Sequence, residues 1–334
     1  VALKRQLRQG LKKVAFGGDI LPARFFIEQP QPQTEVSVWL HGYGEPRDVT
    51  RCQAPASAVP CTFWVAFPAG QSPSEKQRNR LTLKFCERDG AKRVLGQIGL
   101  TWTKTIPAGT GEILVFEATR ASNYCQPKFR LMTHRLLDLW RQRRKKSTIQ
   151  LSPVERRAMG VLFICPRSIQ LVSVVNEESA NIFPLNVAGD LHDGYFAFAL
   201  TAWKIPAQFL EKARRFALSV TPIQQGPTAF RLAENHNNAA IQWDELPFKT
   251  RPSRRFAIPV PVFSPRVREM EIESVHRVGS HSLFVARTIS DEGVASGAEL
   301  SVVHGYYQSW RLRRGLDVPS SVAEDARIRS GVCS

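Results

Sequence analysis

The chain of 334 residues has six cysteines but no C-x-x-C pair, which removes the usual ligand spacing of a zinc site. Irregularly placed at 52, 61, 86, 125, 165 and 333, these cysteines read as reduced core residues. No apolar run approaches the roughly 18 residues a membrane helix requires. The opening VALKRQLRQGLKK is basic but lacks the apolar stretch and cleavage pattern of a secretory signal. A soluble, cytoplasmic protein is the expectation. There is no G-x-S-x-G of a serine hydrolase and no G-x-x-x-x-G-K-[ST] of a nucleoside triphosphatase. Gly42-Tyr43-Gly44 lacks the third glycine of a dinucleotide fingerprint, with Arg47 at that offset, so it reads as a plain turn.

Acid is also scarce, and the scarcity is local. The chain has 46 Lys and Arg against 29 Asp and Glu, a net charge of +17. Residues 1–150 hold 25 basic and 11 acidic side chains, whereas residues 151–334 hold 21 and 18. The contrast suggests a boundary near 150 and gives the first half a preference for anionic partners. Its sharpest feature is Arg141-Gln142-Arg143-Arg144-Lys145-Lys146, at the end of apolar residues recurring at helical spacing from Pro127. A nucleic-acid or anionic-surface patch is one reading. A solvated helix end is the favoured one, because cations complement the helix dipole there.

What is plentiful is β-pattern. Val36–Leu40, Thr62–Phe67, Leu81–Phe85, Val94–Leu100 and Glu112–Phe116 read as short strands between Gly, Pro and charged turns. Ser122-Asn123-Tyr124-Cys125 reads as a turn, and Cys125 has no base beside it that would make it a nucleophile. Ser152, Pro153 and Glu155 form a helix start with a capping box. After it, Ile169–Val175 is a strand, and the following arm carries Pro184, which fits an edge strand.

Several short motifs of the second half resemble, in order and spacing, those of the flavin reductase-like FMN-binding split barrels. They are Cys165-Pro166-Arg167-Ser168-Ile169, Asn181-Ile182-Phe183-Pro184-Leu185, the strand Ala197–Leu200 with Thr201-Ala202-Trp203-Lys204, and Phe216–Val220. The series continues with the paired segment Glu269–Ile289 around Gly279-Ser280-His281, and with His304-Gly305-Tyr306-Tyr307. Ser280 stands where the family has an Asp.

The resemblance covers roughly residues 160–315. It implies a mainly β protein with a few helices: a six-stranded antiparallel split barrel over 151–316, after a β-rich basic accessory domain over 1–150 and before a polar tail over 317–334. It also implies a homodimer binding FMN near the subunit interface, with NADH or NADPH as hydride donor and a flavin or small molecule as substrate. His281 would be the catalytic residue. Asn181, Pro184, Leu185, Asn186, Thr201, Trp203, Lys204, Ser282 and Tyr307 would bind the cofactor. The residue types suit this, since phosphate asks for hydroxyls, backbone N–H groups and a cation, and a flavin ring asks for apolar faces with polar edges. Lys204 reads equally as a surface lysine, Thr201 as a strand-end hydroxyl, and Trp203 as a core or interface aromatic. Haem or another cofactor on the same fold, or a basic nucleic-acid-binding protein on a barrel scaffold, are the alternatives. Neither a membrane nor a metal is expected.

Overall fold

The computed structural model describes residues 25–29, 34–133, 136, 151–177, 179–293 and 299–316. The first half supplies β1 (Phe25–Gln29), β2 (Val36–His41), β3 (Arg47–Asp48), β4 (Gln53–Ser57), β5 (Thr62–Phe67), β6 (Leu81–Glu87), β7 (Val94–Ala108) and β8 (Gly111–Asn123). Then come α1 (Pro153–Leu162), β9 (Arg167–Ser168), β10 (Gln170–Val175), β11 (Ala180–Leu185), β12 (Ala188–Asp190), β13 (Tyr195–Thr201), α2 (Ile205–Ala213) and β14 (Arg215–Val220). The chain continues with α3 (Gly226–Leu232), β15 (Thr250–Pro252), β16 (Pro259–Pro261), β17 (Arg266–Val278), β18 (His281–Gly293), β19 (Glu299–Val303) and α4 (Gly305–Arg313). The protein is mainly β, as the alternation of apolar residues requires.

Two seven-stranded antiparallel sheets dominate. Their orders are β3-β2-β6-β7-β8-β5-β4 and β11-β10-β14-β17-β18-β13-β12. Strand for strand these are one topology written twice: β2 corresponds to β10, β5 to β13, and the long hairpin β7–β8 to β17–β18. The irregularities agree as well. Each hairpin has two bulges, at Trp102/Lys104 and Gly99/Leu100 in one, and at Ile272/Ser274 and Glu269/Met270 in the other. Trp102 and Ile272 both stand six residues before the end of their strand, and Gly99 and Glu269 both stand nine. A bulge inserts one residue and bends the strand locally, so matched bulges give both hairpins the same bend.

The core has four parts among the described residues, the smallest being Ala217, Ile258, Val260 and Val267. One lies inside the first sheet, around Phe63, Phe85, Phe116 and the α1 residues Val161 and Leu162. A second lies inside the other sheet, where Phe198 stacks on Phe284 with ring centroids 4.9 Å apart. The third is the seam between the halves. There Ala54, Ala56, Trp64, Ala66, Ile113 and Val115 meet Ala197, Ala199, Val278, Leu283 and Val285.

The halves are also laced together. β1 pairs along β19, and β9 pairs on the other side of β19. α1 begins after the expected boundary, with its capping box in place: Glu155 N–H donates to Ser152 Oγ (3.3 Å) and Ser152 N–H to Glu155 (2.5 Å). It packs on the first sheet, where Gly96 leaves room for Val161 and Ile164. Pro184 lies in the edge strand β11, as its missing N–H demands. The helix expected from Pro127 is helical over 128–133 and at 136, with Leu131 buried and Phe129, Met132 and Leu136 exposed. The basic run 141–146 lies outside the described residues. No helix among the described residues is long and apolar enough to cross a membrane.

Each hairpin tip turns through a glycine with positive φ, Gly109 at 56° and Gly279 at 52°, and each tip presses on the opposite half. A Cβ on Gly109 would stand 2.6 Å from the Tyr195 ring, and one on Gly279 would stand 2.6 Å from Val59 O. Gly279→Ala should therefore cost about 1–3 kcal/mol for the backbone conformation, and more for the displaced seam. Gly194→Ala, at φ 77° with nothing within 4 Å, should show the conformational part alone. Urea unfolding of the two variants measures the difference, with the lower midpoint expected for Gly279→Ala.

Candidate functional site

The region to which the sequence motifs point is built by two neighbouring connections. The first joins β11 to β12 through Asn186 and Val187, and Ala199 N–H donates to Val187 O (3.1 Å). That bond lays Asn186 beside the end of β13. The second is the turn Ala202-Trp203-Lys204 between β13 and α2. Its tightness comes from Lys204 N–H donating to Thr201 O (3.0 Å) and Ala202 N–H donating to Ser280 O (3.2 Å). α2 starts at Ile205 with Pro206 in its first turn. Its N-cap Lys204 makes no capping bond with its side chain; Pro206 has no N–H and Ala207 N–H donates to Lys204 O (3.1 Å), which leaves the Ile205 N–H for another acceptor.

His281 opens β18 directly across from Thr201. Its Nε2 lies 3.4 Å from Thr201 Oγ1, and its Nδ1 lies 2.9 Å from Ser280 Oγ. Burial, helped by the nearby Arg277 charge, pulls its pKa down to about 4. The ring is therefore neutral at pH 7. A loop unmarked by the sequence motifs closes the other side. His236 bonds to Pro184 O (3.1 Å) and packs on Phe183, and Lys204 Nζ donates to Asn237 Oδ1. Burial lowers the pKa of His236 as well. As a polar Asx-type loop, Asn235–Asn238 offers no metal-ligand spacing, and it carries no further signal in the sequence.

Pro184, Asn186, Thr201, Lys204 and His281 are thus brought together. Trp203 is next to them and half exposed at 49%, so it is neither a core nor a seam residue. Four expected residues stand elsewhere. Asn181 is fully buried, its amide donating to Asn235 O (3.2 Å) and Asn238 O (3.0 Å), which makes it the anchor of the loop. Leu185 is part of the second barrel's core. Ser282 is buried and donates to Glu211 of α2 (3.1 Å). The family resemblance implies a closing strand at His304-Gly305-Tyr306-Tyr307, but the strand there is β19 and ends at Val303. Tyr307 lies in α4, fully buried, donating to Glu35 (2.6 Å), which also takes Arg311 at 2.7 Å. Cys125 is likewise buried, and burial holds its thiol far above the range in which it would react. Among the described residues, no three His, Cys, Asp or Glu side chains are placed to hold a metal ion.

The corresponding place in the first half looks different. Phe67 pairs with Glu112 as Leu200 pairs with Ser282, so Ala69-Gly70 matches Ala202-Trp203 and Gly111 matches His281. No helix follows β5, only a single 3-10 turn at Arg78–Arg80. A cavity of about 300 Å³ opens there, lined by Ala69, Gly70, Thr105, Pro107, Thr110, Gly111 and Glu112. Arg78 reaches its rim, donating to Thr105 (3.1 Å), standing 3.8 Å from Glu112 and lying over Trp102.

Proteins of known structure are similar to parts of this chain. An NADH:FAD oxidoreductase of Streptomyces globisporus matches at 17% identity, over 48% of this chain and 95% of its own, with a TM-score of 0.41. The flavin reductase of a styrene monooxygenase from Pseudomonas putida matches at 17% identity, over 44% and 91%, with a TM-score of 0.36. An FMN-binding protein from Thermus thermophilus matches at 23% identity, over 42% and 86%, with a TM-score of 0.37. No family model and no curated protein matches the sequence.

The depressed His281 pKa has a consequence for stability. The unfolded chain takes up a proton near the ordinary value of 6.5, whereas the folded chain does so only near 4. Between those values the unfolded state binds more protons, so stability falls as pH drops, by up to about 3 kcal/mol from this residue. His281→Gln should remove that share of the loss between pH 7 and pH 4. Urea midpoints of both proteins across this range check it.

Proposed function

We propose that this protein is an FMN-binding oxidoreductase of the flavin reductase type, with NADH or NADPH as the hydride donor. The observation that carries this reading is the convergence of a helix start, a lysine and a hydroxyl at one end of the second barrel, beside a neutral histidine. The phosphate end of FMN fits these residues. The α2 start offers the Ile205 N–H, Lys204 supplies the charge, and Thr201 the hydroxyl. Pro184, Asn186 and His281 lie alongside and would meet the ring's edge. Asn181, Leu185, Ser282 and Tyr307 have no part in this assignment, because their side chains are engaged inside the protein. Bound flavin would supply the two-electron chemistry. The protein's contribution is to hold the cofactor, orient it and exclude competing reactions.

Titration of the purified chain with FMN, followed through flavin fluorescence and the visible spectrum, tests the reading together with an NAD(P)H oxidation assay. Saturable binding and FMN-dependent oxidation are expected. A colourless protein that leaves added FMN unchanged overturns it. Lys204→Ala should weaken FMN binding by about 10- to 100-fold, the effect of losing one charge-assisted hydrogen bond to phosphate. Its urea midpoint should move little, because Lys204 is only half-buried.

A further inference from the structure

The two sheets share strand order, bulge positions and tip geometry, and they meet through equivalent elements. The β17–β18 tip rests on the β4–β5 turn, where Ser280 N–H donates to Val59 O (2.9 Å). The β7–β8 tip rests on the β12–β13 turn, where Thr110 donates to Asp193. The halves are therefore arranged about an approximate twofold axis within one chain. Such a seam is self-complementary in the way an interface between two identical subunits is.

At the β17–β18 contact, the first half touches the group next to His281. Ser57 is 2% exposed. Its hydroxyl has two acceptors in reach, Val59 O and Ser280 Oγ, each 3.1 Å away. Its oxygen lies 3.2 Å from Val59 N and 3.1 Å from Ser280 N, and both N–H groups are shared, Val59 N–H with Ser280 Oγ (3.4 Å) and Ser280 N–H with Val59 O (2.9 Å). A Ser57 hydroxyl that donates to Ser280 Oγ leaves the Ser280 proton for His281 Nδ1, 2.9 Å away. With Nδ1 accepting, the neutral ring carries its proton on Nε2, the nitrogen that faces Thr201.

We propose that the first half is the built-in partner of the second-half site, and that Ser57 is a positioning residue that fixes the tautomer of His281 through Ser280. The chain then needs no second copy to complete the site, and the dimer implied by the family resemblance is present in cis. The role given to His281 rests on the flavin reading, but its tautomer does not.

The test is nitrogen-15 NMR of the histidine-labelled full chain at pH 7.5, without flavin, alongside sedimentation velocity. The native chain should sediment as one species near its 37.5 kDa mass and show His281 protonated on Nε2. Ser57→Ala removes the hydroxyl that donates to Ser280 Oγ and frees that oxygen to accept from the ring, so His281 should shift at least in part to the Nδ1-protonated form. Ser57→Thr, which keeps the oxygen, should restore the native signal. A native ring protonated on Nδ1, or a ring unmoved in Ser57→Ala with the fold intact by circular dichroism, overturns the tautomer assignment. A native signature present only in a dimer fraction overturns the built-in partner. If FMN fails to bind while the tautomer responds as described, the flavin reading falls and this one stands.

Discussion

The seam between the two sheets is the constraint on which the rest depends. Two sheet faces can pack this closely only if their contact residues are small, and five alanines (Ala54, Ala56, Ala66, Ala197 and Ala199) stand in the apolar cluster that joins them. One large residue, Trp64, fills the centre, and Gly189 lies against its ring, where a Cβ would stand 2.7 Å from the indole. Around this contact the hairpin tips add hydrogen bonds at both ends. The buried Arg167 reaches across as well, to the Gln53 side-chain oxygen (2.9 Å) and backbone carbonyl (3.3 Å). Desolvation lowers the pKa of that guanidinium, and it has no carboxylate partner among the described contacts; its hydrogen bonds to Gln53 satisfy its two terminal nitrogens, while Nε is buried without a partner among the described residues. Each half contributes both to its own barrel interior and to the shared seam, so neither half's surface is complete without the other.

The two halves diverge where the chain leaves the sheet after β5 in one and after β13 in the other. In the second half α2 covers that end of the barrel, and Ser282 on the strand bonds to Glu211 on the helix. In the first half the matching strand residue is Glu112, and the group that reaches it is Arg78 from the loop. The same tertiary contact is thus made with different chemistry. Without a helix, the first half is left with an open cavity bearing Arg78 and Glu112, and with α2 in place, the second half gains a helix start beside Lys204. Equal topology therefore gives unequal sites, and the difference comes from one short connection.

Much of this architecture is legible in the sequence, because individual strands announce themselves by alternation and their turns by glycine and proline. The capping box at Ser152 and the edge position of Pro184 follow from elementary stereochemistry and are found as read. The duplication is another matter. When the two long hairpins are aligned by their register, only Gly109 with Gly279 and Val115 with Val285 are identical. A β-sheet constrains which face is apolar and where the backbone bulges, and many side chains satisfy both. Tyr307 shows the opposite limit: a tyrosine after an apolar run suits a strand, but here the run ends at Val303. His304 accepts from Tyr306 N–H and caps a helix instead. Asn181 and Ser282 carry the right chemistry for a site, and only burial shows that their hydrogen bonds are made inside the protein.

What the seam does for the candidate site is to separate charge from direction. Lys204 carries the positive charge near the helix start, and a second cation at His281 would repel it while being buried. The structure avoids this by desolvating the imidazole, with Arg277 opposing protonation further. A neutral ring retains a single N–H, and its usefulness depends on which nitrogen bears it. That choice is made outside the second barrel, by the Ser57 hydroxyl at the edge of the first, acting through Ser280. The strand that would be an exposed edge in an isolated barrel, β4, thereby holds the orientation of a group in its neighbour. The seam that joins the two sheets and the polarity of the site are consequences of the same contact.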